Sequence, residues 1–206
     1  MRSIFLGVLL IASSFQLLAQ EETNASSSKW QARLRVLTVM PDESATIDVI
    51  GGDVDISTTV VPELDFTYFF TENIAAELIL GTTKHKVKAI NTAAGDIDLG
   101  SVWLLPPTLT AQYHFTGGAF KPYLGAGVNY TFFYGIDEGD ADDLEYDNSV
   151  GFAVQGGFDY ALNDKWFLNL DVKKLFLSTD VTVNGAVGAD VTIDPWLIGA
   201  GVGMKF

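Results

Sequence analysis

Read backwards from the C-terminus in steps of two, the chain gives Phe206, Met204, Val202, Ala200, Ile198 and Trp196, with Lys205, Gly203, Gly201, Gly199 and Leu197 between them. Strict alternation is the pattern of a β-strand with one apolar face. The same period recurs in the segments Trp30 to Met40, Glu63 to Thr71, Ile74 to Lys84, Trp103 to Phe115, Pro122 to Tyr134, Val150 to Ala161, Trp166 to Leu177 and Pro195 to Phe206. Each is roughly ten residues long, the length at which a tilted strand crosses a bilayer. The connections alternate too. Thr71-Glu72-Asn73, Thr116-Gly117-Gly118 and Asn163-Asp164 sit in short turns, whereas Pro41 to Pro62, His85 to Val102, Gly135 to Ser149 and Ser178 to Asp194 read as long polar loops. The pattern predicts an all-β protein, an eight-stranded antiparallel transmembrane β-barrel over residues 29–206, with short periplasmic turns and long outer loops.

The two faces of each segment differ in a way that sets which one is outside. The fifth carries Leu124, Ala126, Val128, Tyr130 and Phe132 on one face against Gly125, Gly127, Asn129 and Thr131 on the other. The seventh sets Trp166, Leu168, Leu170 and Val172 against Asn169, Asp171 and Lys173. A soluble barrel would turn its bulky apolar side inward. Here the bulky side faces lipid, small residues leave room in a narrow lumen, and Trp103, Tyr134, Tyr160, Trp166 and Trp196 fall near strand ends, where interfacial aromatics are favoured.

The N-terminus fits export. Arg2 precedes the apolar run Ile4 to Leu18, which Ser13, Ser14 and Gln16 interrupt, and Leu17-Leu18-Ala19 offers a cleavage site. This predicts a signal peptide over residues 1–19 and a periplasmic segment over 20–28. There is no cysteine, so neither a disulfide nor a lipid anchor is expected. Hydrophobic residues make up 48% of the sequence, yet after the leader no apolar run is long enough for a membrane helix, consistent with hydrophobicity distributed by alternation. A formal charge of −14 excludes nucleic acid as a partner, because its phosphates would be repelled.

Parity places three groups. Arg33, Arg35, Glu77, His114, Asp159, Asp171 and Lys205 point into the lumen near the periplasmic end, with Gln112 and Asn169 among them. With His114 neutral, that is three cations against three anions, a salt-bridged floor, since buried charge persists only when paired. The floor acts either as a plug against water and ions or simply as the packing of a narrow barrel. Above it, Leu37, Val39, Leu104, Phe133, Leu175 and Leu197 line an apolar upper lumen, a pocket for small hydrophobic solutes or residues that merely fill one another's space. Asp65 and Lys173 also point inward and break a uniformly apolar lining unless they pair with each other. Finally, adjacent prolines at Pro106-Pro107 delete one N–H donor toward each flanking strand. That makes a seam in the wall, or else a loop before a strand that begins at Thr108.

Signals for catalysis or metal binding are poor. His85 and His114 are the only histidines, and neither sits in a zinc-type or nucleophile motif. The acidic stretch Ile136 to Ser149 has the carboxylates to bind calcium but lacks EF-hand spacing, and reads more simply as a solvated or metal-bridged surface loop beside anionic lipopolysaccharide. No enzymatic activity, metal or cofactor is expected.

The strings "FTENIAAEL" (Phe70 to Leu78), "LPPTLTAQYHF" (Leu105 to Phe115), "PYLGAGVNYTFF" (Pro122 to Phe133) and "DPWLIGAGVGMKF" (Asp194 to Phe206) resemble the outer membrane protein W (OmpW) family, which includes alkane-uptake proteins. The resemblance runs in order along the mature chain and is weakest in the loops. It implies a Gram-negative outer-membrane channel for passive uptake of small hydrophobic molecules, closed toward the periplasm, with sideways release into the membrane. The alternative is a structural or receptor-like barrel without transport; a lipid-modifying enzyme is a third, more distant reading. The terminal Phe206, with Met204, Val202 and Trp196, resembles the signal by which the outer-membrane barrel assembly machinery recognises its clients. Expected partners are that machinery, outer-membrane lipids and lipopolysaccharide, and the solutes themselves.

Overall fold

The structure, a computed structural model, describes residues 28–206. The expected signal peptide lies outside the described residues, as does the expected periplasmic segment apart from its last residue. The strands are β1 (Trp30–Met40), β2 (Ser44–Ile47), β3 (Asp53–Ile56), β4 (Thr59–Phe69), β5 (Ile74–Leu80), β6 (Thr83–Thr92), β7 (Gly95–Leu105) and β8 (Thr108–His114) in the N-terminal part. They continue with β9 (Phe120–Asp137), β10 (Leu144–Tyr146), β11 (Ser149–Ala161), β12 (Trp166–Phe176), β13 (Ser178–Val183), β14 (Val187–Thr192) and β15 (Trp196–Lys205).

Eight strands close a ring in the order β1, β4, β5, β8, β9, β11, β12, β15 and back to β1, every pair antiparallel. The alternation of the last strand is what allows closure. β15 pairs with β1 from Gln31 opposite Lys205 to Met40 opposite Trp196, and parity is kept throughout. Trp30 and Phe206 then exchange backbone hydrogen bonds of 3.2 and 3.0 Å, so the C-terminal residue is tied to the first strand. A ring leaves no open edge among these strands, which a lipid environment requires.

The outer surface carries an apolar belt, with exposed Leu34, Val36, Leu78, Leu109, Leu124, Val128, Leu168 and Val202 among its members. At the end with short turns and both chain ends stand Trp30, Phe70, Tyr113, Phe115, Phe120, Tyr160, Trp166 and Phe206; at the other end stand Tyr130, Phe132, Tyr134, Phe176 and Trp196. Two aromatic girdles about an apolar belt are what a membrane-spanning barrel presents to its two interfaces.

The long connections are not loops. β6 and β7 continue the β5–β8 hairpin outward, β3 pairs with β6, and β10, β13, β14 and β2 form a four-stranded sheet. Their inward residues, including Val54, Val87, Leu99, Val102, Leu144, Leu177, Val181, Val191 and Ile193, form a buried apolar cluster beyond the membrane belt. The correction has a plain cause. The alternation is present in Val181-Thr182-Val183 and Ile97-Asp98-Leu99, but each run is short and its outward positions are occupied by acidic and small residues. Such stretches resemble solvated loops until their partners are known.

Candidate functional site

The floor is built from the inward faces of five strands of the ring. β1 contributes Arg33 and Arg35, β4 contributes Glu63 and Asp65, β5 Glu77, β11 Asp159, and β12 Asp171 and Lys173; all are buried. Arg33 Nε donates to Asp65 Oδ1 at 2.7 Å, and its Nη2 donates to Glu77 Oε1 at 2.5 Å and to Thr67 Oγ1 at 2.6 Å. Arg35 Nη2 lies 2.7 Å from Glu63 Oε1 and 2.8 Å from Asp65 Oδ2. The second oxygen of Glu77 accepts from Gln112 and Gln155, each at 2.8 Å, and from Thr110 at 3.3 Å. Lys173 pairs with Asp171, whose other oxygen accepts from the Tyr123 hydroxyl at 2.7 Å. Asp159 accepts from Asn169 at 2.8 Å and lies 3.7 Å from Arg33 Nη1.

This network brings together most of the floor that parity assigns, with differences. Lys205 is only half-buried, its Nζ 6.0 Å from the Phe167 ring, and it joins no ion pair among the described residues. His114 is not a charge partner either. Its Nε2 lies 2.8 Å from Gln112 Oε1, and its ring sits between Phe69 and Tyr123. Asp65 and Lys173 do not pair with each other; Asp65 joins both arginines and Lys173 joins Asp171. The balance of three against three therefore changes. The buried groups are three cations, Arg33, Arg35 and Lys173, against five carboxylates, Glu63, Asp65, Glu77, Asp159 and Asp171.

Parity also holds two contributors that charge alone does not reveal. Phe167 is buried at the periplasmic end opposite Gly203, where an added Cβ would lie 2.1 Å from the ring. Gly157 makes the same kind of room, since a Cβ there would stand 2.6 Å from the Tyr123 hydroxyl. Each glycine admits a large inward side chain from the residue paired with it on the neighbouring strand, and the floor is correspondingly tight.

Above the floor is a cavity of about 310 Å³, bounded below by Glu63 and Lys173. Leu37, Val39, Leu104, Leu175 and Leu197 line it. The outer extension supplies the rest of its wall, with Ile47, Val54, Val87, Leu99, Leu177, Val181 and Val191 among the lining residues. Phe133 does not line it. That ring is partly buried and stacks on Tyr146 with centroids 5.4 Å apart and an interplanar angle of 12°. β9 has passed beyond the barrel ring at this point, and β10 covers its inner face.

His85 and Tyr146 are among the polar side chains on the wall of the extension. His85 Nδ1 lies 2.6 Å from the Ser57 carbonyl, and burial lowers its pKa. A carbonyl can only accept, so Nδ1 carries the proton of the neutral ring and Nε2 is left bare. Burial also pushes the Tyr146 phenol up to about 12, so it remains a neutral donor.

At Pro106-Pro107 both ladders break. Pairing of β5 with β8 ends at Ile79 opposite Thr108 and resumes between β6 and β7 at Thr83 opposite Leu104. On the other side it passes from Thr108 opposite Asn129 to Leu105 opposite Phe132. The Tyr130 N–H donates to the Pro107 carbonyl at 3.1 Å, but proline has no N–H to return the bond. Side chains bridge part of the gap: Asn129 Nδ2 donates to the Pro106 carbonyl at 3.2 Å and Thr82 Oγ1 to the Leu104 carbonyl at 2.9 Å. Gly81 and Pro106 both line the cavity, so this break in the wall adjoins it.

Comparison with known proteins agrees with this architecture. The OmpW family profile matches residues 26–206. The chain is 51% identical over 195 residues to the outer-membrane protein y4mB of Sinorhizobium fredii, covering 91% of this chain and 84% of the relative. It is 34% identical to outer membrane protein W of Vibrio cholerae, covering 98% and 97%. It is 32% identical to the dibenzothiophene metabolism operon protein PahQ of Pseudomonas aeruginosa, covering 89% and 92%. Among solved structures, outer membrane protein OprG of Pseudomonas aeruginosa superposes with a TM-score of 0.78 at 30% identity, covering 86% of this chain and 95% of that one. These relatives, together with the closed ring, the apolar belt and the charged floor, identify an eight-stranded barrel of the Gram-negative outer membrane, and the chain belongs to the OmpW family.

Proposed function

We propose that this barrel is a channel for passive uptake of small hydrophobic molecules, which enter from outside, rest in the apolar cavity and leave sideways near Pro106-Pro107. One observation carries the reading: an apolar cavity ends on a buried floor of ion pairs and adjoins a break in the barrel ladder. An apolar solute gains by leaving water for such walls, whereas crossing the floor would require it to separate buried ion pairs. Lipid beyond the wall is the more favourable destination. PahQ, a relative named for dibenzothiophene metabolism, supports an apolar aromatic among the solutes of the family.

The test is uptake of an apolar fluorescent tracer by cells lacking their own carrier. Wild-type protein should accelerate it, and Leu175→Asp, which puts a charge in the cavity wall, should abolish the acceleration at equal outer-membrane abundance. Equal uptake with Leu175→Asp would favour the second reading, a structural or receptor-like barrel, for which the folded outer extension would serve as the presented surface.

A further inference from the structure

The strands of the outer extension, β2, β3, β6, β7, β10, β13 and β14, contain no arginine, and their lysines, Lys84, Lys86 and Lys88, all stand on β6. The cavity fixes the parity of that strand. Thr83, His85 and Val87 line it, so the lysines between and after them point outward, and each is exposed. None of the three makes an ion pair among the described residues, whereas Lys174, beside Trp196 at the same end of the barrel, is held by Asp42 at 2.9 Å. In a chain of formal charge −14, this row puts unpaired positive charge at one place on an acidic exterior.

The height of the row decides what it meets. Lys84 lies opposite Trp103, its Nζ stands 5.8 Å from the centre of that ring, and Trp103 stacks with Tyr134 at the outer interface. Lys86 follows two residues further out, about 7 Å along the strand. Two amines thus stand at and just above the aromatic girdle, which marks the level of the head groups. In the outer leaflet that is where lipopolysaccharide carries its phosphates. The neighbours of these two add no acid, since Trp103 and Ser101 face them on β7 and Ser57 meets Lys86 on the other edge. Lys88 differs: the register sets it between exposed Asp55 on β3 and exposed Asp98 on β7, whose carboxylates offset its charge.

We propose that Lys84 and Lys86 form a binding site for a phosphate of lipopolysaccharide. The Trp103 ring steadies the Lys84 ammonium by a cation–π contact that leaves N–H groups free for an anion. Lys86 closes on the same phosphate from above, and the acyl chains lie along the apolar belt below. This assignment is independent of the channel reading.

The test places the full barrel in phosphatidylcholine nanodiscs with increasing fractions of diphosphoryl lipid A and follows the indole N–H resonance of Trp103, with Trp196 as the control at the same membrane level. Trp103 should shift saturably and Trp196 should not. Lys84→Gln and Lys86→Gln should each raise the half-saturating fraction about fivefold, the effect of one lysine at an anionic lipid surface. Lys88→Gln should leave it nearly unchanged, and Lys86→Arg, which keeps the charge, should bind as wild type. Because the three lysines are exposed, all variants should keep the wild-type urea midpoint, so weaker binding could not come from misfolding. Equal shifts with lipid A stripped of its phosphates, equal shifts at Trp196, or the same loss in Lys88→Gln would show general lipid contact or diffuse attraction and overturn the site. Saturation of Trp103 by inorganic phosphate in nanodiscs free of lipid A would assign the lysines to a soluble anion and overturn it as well.

Discussion

Arg33 Nη2 donates to Glu77 Oε1 across 2.5 Å, and neither side chain is reached by solvent. Glu77 holds the floor together, because its other oxygen collects Thr110, Gln112 and Gln155 from two further strands. Removing it takes the nearest carboxylate from Arg33 and leaves Thr110 and Gln112 without their acceptor inside a buried ionic cluster. Glu77→Ala should cost about 3–5 kcal/mol of stability, measured as a lowered urea midpoint in lipid vesicles. Glu77→Gln, which keeps an acceptor oxygen, should cost less.

The same floor predicts poor ion conduction. Phe167, buried opposite Gly203, and the ion pairs above it occupy the periplasmic half of the lumen. In planar bilayers the intact protein should give rare, small current steps, and large steady ohmic currents would show that the floor is open. Phe167→Ala should increase the frequency of steps by removing the lowest obstruction, provided the barrel remains heat-modifiable on gels.

How much of this was readable in the sequence depended on run length. β1 coincides with the alternating segment Trp30 to Met40, and the residues that parity directs inward, Arg33, Arg35, Leu37 and Val39, are buried, because a strand of that length leaves no choice of period. Three strands of the outer extension were illegible for the opposite reason: β2, β3 and β10 have three or four residues each and gain their identity only from partners far along the chain. Charge pairing was equally hidden. Parity shows that Asp65 faces inward, but only the β1–β4 register, with Arg33 opposite Asp65 and Arg35 opposite Glu63, shows which cations meet which acids.

His85 should make the outer extension sensitive to acid. Burial lowers its folded-state pKa below the usual 6.5, so the unfolded chain binds the proton more readily. Stability rises with pH wherever the unfolded state holds more protons. The His85 contribution is therefore intact above about pH 6.5 and is lost as pH falls below it. Amide exchange in β3, β6 and β7 should quicken between pH 7.5 and 5.5 after correction for intrinsic rates, and His85→Gln should flatten that change. An identical acid response in the variant would assign it to other groups.

Deleting Phe206 should impair assembly more than export. The residue exchanges two backbone hydrogen bonds with Trp30 and completes the periplasmic aromatic girdle, so its loss weakens the last closure of the ring as well as the terminal alternation. The expected outcome is less heat-modifiable barrel in the outer membrane and more unassembled protein in the periplasm. Replacement by Tyr should largely restore assembly, whereas Phe206→Asp should not. Wild-type barrel levels after the deletion would separate the terminal residue from insertion altogether.

The sharpest test of sideways release is at Pro107. Tyr130 already donates its N–H to the Pro107 carbonyl, and an antiparallel pair of this kind normally exchanges two bonds. Pro107→Val supplies the missing donor without adding charge, and a β-branched residue suits the strand. The ladder between β8 and β9 should then continue toward Leu105 opposite Phe132. Because the backbone would gain a bond, the variant should unfold at equal or higher urea than wild type, so slower transport could not be attributed to misfolding. If solutes leave through this break, tracer uptake should fall in Pro107→Val while binding in the cavity, read at Leu177 and Val191 methyl groups, stays intact. Pro106→Val acts toward the other neighbour, where the pairing of Ile79 with Thr108 stops short of Thr83 with Leu104. The double replacement should slow uptake more than either single one, since an exit closed on one edge can still widen on the other. Uptake at the wild-type rate through a barrel with both ladders restored would move the exit elsewhere, leaving the cavity and its floor in place but removing the seam from the route.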